Sequence, residues 1–111
     1  NLPDYLGFAQ SAEAVSFSSN AATATVGKFA HYATSSSSGT DILTLGNGST
    51  GQVKYVVLVS DGGANVRVTP SGTFTGGSYV QLDSAGDSVQ MLYTGSTYGW
   101  VVLGGNSYTI A

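Results

Sequence analysis

The chain has 111 residues, of which 41% are hydrophobic and only 8% are charged, with a net charge of −3 and no cysteine. This length and composition indicate one folded, β-rich domain and exclude disulfides, thiolate zinc sites and cysteine nucleophiles. Because there are only 3 cationic side chains and no apolar run of the ~20 residues that cross a membrane, we expect neither nucleic acid nor a membrane as a partner.

The first segment, residues 1–12, is predicted to be an extended arm. Pro3 and Gly7 disfavour a long helix there. Its large apolar side chains need a surface on which to pack, and both the parent domain and a neighbouring subunit can supply one. These side chains are Leu2, Tyr5, Leu6 and Phe8. We therefore divide the chain into an N-terminal arm, 1–12, and a single β-domain, 13–111.

The rest of the chain consists of short β-favouring runs separated by Gly, Asn, Asp and Ser. From residue 41 onward the turn signals recur about every ten residues, which is the rhythm of an antiparallel sandwich or barrel. No internal repeat of solenoid type is apparent. The prediction is an all-β fold, an antiparallel β-sandwich or barrel of about eight strands, with the arm in front of it.

The longest β-favouring run, residues 52–60, is predicted to be the central strand, with 41–45 and 64–69 as its ladder neighbours. Its side chains alternate between two faces. One face carries Val53, Tyr55, Val57 and Val59, and the other carries Lys54, Val56, Leu58 and Ser60. Since no amphipathic helix is predicted, a second sheet or another subunit must cover Val56 and Leu58.

No residue set predicts a catalytic centre. His31 is the only histidine and shares a predicted strand face with Phe29, and the chain has no Gly-x-Ser-x-Gly elbow. A packed or interface histidine is therefore expected.

The acidic residues near glycines raise the question of a cation site. Asp61-Gly62-Gly63 superficially fits a calcium loop, and Asp83 and Asp87 flank a turn where a weak calcium site or a glycosidase pair is conceivable. Ordinary turn capping by aspartate explains both positions better. We predict that the protein is not an enzyme and holds no cofactor or metal.

Residues 43–104 carry a distinctive series of turn and core positions. The series is Leu43-Thr44-Leu45, Gly51-Gln52-Val53-Lys54, Asp61-Gly62-Gly63, Val66-Arg67-Val68-Thr69-Pro70, Gly76-Gly77, Ala85-Gly86-Asp87-Ser88-Val89, Tyr93 and Trp100-Val101-Val102. This pattern resembles small β-structured surface proteins of tailed bacteriophages, which occur as capsid decoration proteins and as head or tail fibre modules. The resemblance covers a little over half of the chain. It implies a non-enzymatic virion component, commonly trimeric, on the capsid or tail.

The expected function is a capsid decoration or cement subunit on the virion surface. Its expected partners are further copies of itself, as a homotrimer, and the major capsid protein or another virion protein. The expected contact residues are Leu2, Tyr5, Leu6, Phe8, Val56, Leu58 and Tyr98. The alternative is a tail or head fibre or spike module that binds a receptor or glycan by stacking on Tyr93 and Trp100.

Overall fold

The computed structural model describes residues 12–111, which form ten β-strands and no helix. The strands are β1 (Ala12–Ser16), β2 (Ala21–Thr23), β3 (Ala30–Thr34), β4 (Thr40–Leu45), β5 (Val53–Ser60), β6 (Asn65–Pro70), β7 (Val80–Leu82), β8 (Ser88–Tyr93), β9 (Trp100–Asn106) and β10 (Thr109–Ile110). Five of them, in the order β1-β3-β5-β8-β9, form sheet A, and the others, in the order β10-β7-β6-β4-β2, form sheet B. The predicted all-β sandwich is confirmed, with ten strands where about eight were expected.

The first six strands alternate between the two sheets. β1, β3 and β5 lie side by side in sheet A and run parallel, and β2, β4 and β6 do the same in sheet B. Each connection between consecutive strands from β1 to β6 therefore crosses to the opposite sheet and does not form a hairpin within one sheet. Turn signals alone do not distinguish such a crossing from a hairpin, so the antiparallel prediction was wrong for these strands. It holds for β5–β8, β8–β9, β6–β7 and β7–β10.

The strand β5 lies at the centre of sheet A, as predicted for residues 52–60, but its neighbours differ from the prediction. It pairs in parallel with β3 and antiparallel with β8. The predicted neighbours, 41–45 and 64–69, correspond to β4 and β6, which pair with each other in sheet B. The sequence signal identified the strands correctly, whereas their partners depend on the crossing connections.

The inward face of β5 carries Lys54, Val56 and Leu58, which are 1%, 0% and 0% exposed. They belong to the core between the two sheets, so a second sheet of the same chain covers this face. The opposite face of β5 points outward and is only partly covered, with Val53, Tyr55 and Val57 half-buried and Val59 exposed.

The core is built by alternate residues of strands from both sheets. Along β4, β6 and β8, half-buried and buried positions alternate from the first residue to the last. This is the two-residue period of a strand that has one face on the core. Each large apolar side chain that is fully buried stabilises the fold by about 1.5–3 kcal/mol. The largest of these are Trp100, Leu43, Leu45, Leu58, Leu82 and Met91.

Candidate functional sites

A buried polar network joins the three parallel strands of sheet A on their inward side. Glu13 on β1 lies directly opposite His31 on β3, and its Oε1 is 2.8 Å from His31 Nδ1. On the other side of the ring, His31 Nε2 is 3.1 Å from Nζ of Lys54 on β5. The His31 side chain is fully buried and that of Glu13 is 20% exposed. The strand register thus pairs Glu13 with His31, and Lys54 reaches the other side of the ring from a diagonal position, two residues before Val56, the β5 partner of His31.

The hydrogen bonds of this network define the protonation of its members. Lys54 Nζ can only donate, and it also donates to the backbone oxygens of Thr25, at 3.0 Å, and Lys28. His31 Nε2 must therefore accept, which places the ring proton on Nδ1, where it is donated to Glu13. Among the described residues, no buried side-chain nitrogen or oxygen lacks a hydrogen-bond partner. The network is internally satisfied.

Burial changes the acid–base properties of the network. Burial lowers the pKa of His31; the hydrogen bond to Glu13 opposes this effect, and the charge of Lys54 reinforces it. Burial also lowers the pKa of Lys54. For Glu13, burial acts to raise the pKa, but hydrogen bonds from Thr25 and His31 outweigh it, so the pKa is lowered. The result is a neutral imidazole held between a carboxylate and an ammonium.

This network contains the residue types of a proton relay, but its geometry is that of a structural element. Both ring nitrogens of His31 are engaged, by Glu13 and by Lys54, and the ring is 0% exposed. A general base must come within hydrogen-bond reach of a substrate proton, and this ring is enclosed. The sequence reasoning placed His31 in a packed position but missed its two partners. The available signal was Lys54 itself, because a cation within the most apolar strand needs buried acceptors.

A second buried charge, Asp41 at the second position of β4, holds the serine-rich loop that precedes the strand. Asp41 is 0% exposed. Its Oδ2 accepts from the Ser36 N–H at 2.6 Å, and its Oδ1 accepts from the Ser36 hydroxyl at 2.8 Å and from Asn20 Nδ2 at 2.7 Å. Charge-assisted hydrogen bonds of this kind are among the stronger ones in proteins. Asp41 therefore links the β1–β2 and β3–β4 connections to the end of sheet B.

Of the remaining acidic candidates, Asp61 and Asp87 cap turns, whereas Asp83 Oδ1 accepts from Gln81 Nε2 at 2.8 Å. Asp61 Oδ1 accepts from the Gly63 N–H at 2.9 Å, and Asp87 Oδ2 accepts from the N–H groups of Asp83 and Ser84 at 3.0 Å each. These are the local side-chain-to-backbone bonds that the sequence predicted at both turns. Within residues 12–111, no group of three or more His, Cys, Asp or Glu side chains could hold a metal ion.

The two aromatic residues proposed as glycan contacts lie in the core. Trp100 is 0% exposed and Tyr93 is 6% exposed. Their rings meet edge to face with centroids 5.2 Å apart, and Trp100 Nε1 donates to the Gly46 oxygen at 3.0 Å. A sugar stacks on an exposed aromatic face, and neither ring offers one. The premise of the glycan prediction does not hold at these two positions.

The predicted contact residues are dispersed. Tyr98 is 63% exposed and lies between β8 and β9. Val56 and Leu58 are fully covered by the chain's own second sheet, which leaves them no surface for another subunit. The arm residues Leu2, Tyr5, Leu6 and Phe8 lie outside the described residues.

The outward side of sheet A is apolar, and its strand residues include no charged side chain. The side chains of Tyr32, Val59 and Leu103 on this side are 43%, 49% and 51% exposed. Phe29 packs on the Tyr55 ring with centroids 4.9 Å apart. We call this surface the apolar face and define it by Tyr32, Val53, Tyr55, Val57, Val59, Leu92, Val101 and Leu103. The sequence identified the apolar side of β5 but gave no sign that this side faces away from the second sheet.

The outward side of sheet B has a different character. Arg67 Nε donates to Gln81 Oε1 at 3.0 Å, and the guanidinium lies 4.3 Å from the centroid of the Tyr79 ring. The outward strand positions around it are mainly polar and include Thr23, Thr40, Thr44, Asn65, Thr69 and Thr109. This is the usual composition of a solvated sheet face.

Comparison with protein-family models finds no family that matches the chain, and a search of curated proteins finds no significant match. The part of the chain that the structure describes has no helix long and apolar enough to cross a membrane. The likeness to phage surface proteins therefore stays a prediction from the sequence.

Proposed function

We propose that the protein is a non-enzymatic structural subunit of a bacteriophage particle, a capsid decoration or cement protein that assembles with copies of itself, as a homotrimer, on the virion surface. The phage assignment comes from the sequence resemblance over residues 43–104. The proposed partners are other copies of the chain and the major capsid protein or another virion protein. The arm residues and the exposed Tyr98 are the proposed attachment points to the particle.

The observation that carries the assembly role is the placement of charge. Lys54 and Asp41 are fully buried and Asp87 is buried. The other charged side chains of the described residues all lie outside the apolar face: Glu13, Lys28, Asp61, Arg67 and Asp83. Exposed charge keeps proteins apart, so a face without it favours contact with another protein surface.

The non-enzymatic assignment is supported by the buried network. His31 and Lys54 are the side chains best suited to proton transfer or nucleophilic chemistry. Both are enclosed in the core, where each makes hydrogen bonds to other groups of the chain. Their arrangement supports the stability of sheet A.

The proposal is tested on purified particles of the phage whose genome carries the coding sequence. Mass spectrometry should detect the protein in the particles, and immunogold electron microscopy should place it on the head surface. Absence from purified particles would overturn the proposal, and so would a coding sequence that lies among cellular genes without virion genes nearby.

Deletion of residues 1–8 tests the attachment role of the arm. The truncated protein should no longer cosediment with particles, whereas its β-domain should keep the circular dichroism spectrum of the full-length protein. Unchanged particle binding would remove the arm from the proposal.

The alternative function, a fibre or spike module, lacks the aromatic contacts on which its glycan site depended, because Tyr93 and Trp100 are buried. Gold labelling confined to tail fibres or spikes would nevertheless favour it over a capsid role.

A further inference from the structure

We infer that the apolar face is the surface through which two copies of this chain associate, with the outward sides of their A sheets packed against each other. The inference rests on the proposed assembly role and names the partner and the surface of a two-fold contact, which joins two copies and is separate from the contacts that would close the proposed trimer. It follows from the charge, the size and the composition of this face, each compared with the outward side of sheet B.

The lack of charge makes the apolar face compatible with a copy of itself. In a two-fold symmetric contact, residues near the axis meet the same residues of the second copy, so any charge there meets a like charge. Among the outward positions of β3, β5 and β8, the polar side chains are the uncharged Thr34, Ser88 and Gln90. The charged Lys28 and Asp61 lie in the connections before β3 and after β5.

The size of the outward side of sheet A, which adds β1 to the four strands of the apolar face, sets the expected strength of the contact. Five strands at about 4.8 Å spacing and about six residues in length give a footprint of about 24 Å by about 20 Å, or about 500 Å². Two such footprints bury about 1,000 Å², which is at the lower limit for a specific interface. We therefore expect a weak, reversible dimer of the free protein.

The composition of the face is also that of an interface. Tyr32 stands on β3 between Ala14 of β1 and Val57 of β5 in the strand register, and Tyr55 follows on the neighbouring strand. Tyrosine is enriched in protein interfaces because its ring buries apolar area while its hydroxyl remains hydrated. On sheet B, Arg67 stands at the equivalent central position, between Ile42 of β4 and Gln81 of β7 in the strand register. In a symmetric contact through that side, the two Arg67 side chains would repel each other.

The test compares the mass of the protein in solution with that of variants that place charge on one side or the other. Sedimentation equilibrium of the full chain up to about 1 mM should show reversible dimer formation. The double variant Tyr32→Lys/Val59→Lys brings four like charges into the contact and should raise the dissociation constant by about 100-fold or more. The matched control Thr23→Lys/Thr109→Lys puts the same charge on outward positions of sheet B and should leave the dissociation constant within a few-fold of wild type. Circular dichroism and thermal unfolding confirm that both variants are folded.

Three results would overturn the inference. One is a strict monomer at the highest concentration, and another is equal weakening by both double variants. The third is weakening by Leu6→Ser/Phe8→Ser in the full chain without an effect of Tyr32→Lys/Val59→Lys, which would assign the contact to the N-terminal segment. None of these results depends on particle binding, so they separate a failure of the interface from a failure of the proposed virion role. Particle binding by a protein that does not dimerise would leave the virion role standing and the interface refuted.

Discussion

The two faces of β5 reverse the usual relation between polarity and burial. The inward face carries an ammonium group, Lys54, next to Val56 and Leu58, and is closed from solvent. The outward face, part of the apolar face, carries only apolar side chains before Ser60 and is partly exposed. Hydrophobicity alone would predict the opposite orientation. The inward orientation of Lys54 is possible because its ammonium finds hydrogen-bond acceptors within the chain.

Lys54 is tolerated inside because its acceptors are already in place. The backbone oxygens of Thr25 and Lys28 and the His31 ring take its hydrogen bonds. Removing an ammonium from water costs several kcal/mol unless such partners are present. On the apolar face, Tyr32, Val59 and Leu103 stay 43%, 49% and 51% exposed, so part of the driving force for burying that face, about 25 cal/mol per Å², remains available to another surface.

The largest expected difference between the two faces is the loss of stability caused by alanine substitutions at two adjacent residues of β5. Leu58→Ala should lower the free energy of unfolding by about 2–5 kcal/mol, because it leaves a cavity in a closed core. Val59→Ala, one residue further, should lower it by less than about 1 kcal/mol, because that side chain is already half exposed. Urea unfolding of the dilute proteins measures both values. Comparable losses for the two variants would contradict the assignment of inward and outward faces.

The sequence predicted more about the elements than about their arrangement. The strand at residues 52–60, the alternation of its two faces and the turns at Asp61 and Asp87 were readable because each depends on residues close in the chain. The parallel winding of β1 to β6 was not, since a turn motif does not specify which sheet the chain enters next. The partnership of Glu13 with His31 depends on that winding, because the two residues meet only when β1 pairs with β3 in register.

The next largest loss of stability is expected when the charge of Lys54 on the inward face is removed while its volume is kept. Lys54→Met should lower the free energy of unfolding by about 1–3 kcal/mol, because His31 Nε2 and two backbone oxygens lose their donor. Lys28→Met is the matched control, since its side chain is only half-buried, and should change stability by less than about 0.5 kcal/mol. Denaturant titrations at pH 7 measure both. A Lys54→Met protein more stable than wild type would mean that the desolvation of the ammonium outweighs its hydrogen bonds.

The smallest effect, and the one most specific to the inward face, is its response to acid. Burial lowers the folded-state pKa of His31 from its ordinary value of 6.5. As the pH falls below 6.5, His31 therefore becomes protonated in the unfolded chain while it is still neutral in the folded chain. The free energy of unfolding should therefore be constant just above pH 6.5. As the pH is lowered from 6.5 to the folded-state pKa of His31, it should decrease by at most about 1.4 kcal/mol per pH unit. The lowered pKa of Glu13 acts in the same direction but in a separate window below its ordinary value of 4.5. His31→Gln should remove the decline that begins at pH 6.5, whereas dimerisation through the apolar face, which carries no histidine and no acidic side chain, should not change. Denaturant unfolding and sedimentation at closely spaced pH values measure the two responses, and equal slopes for wild type and His31→Gln would assign the acid sensitivity to another group.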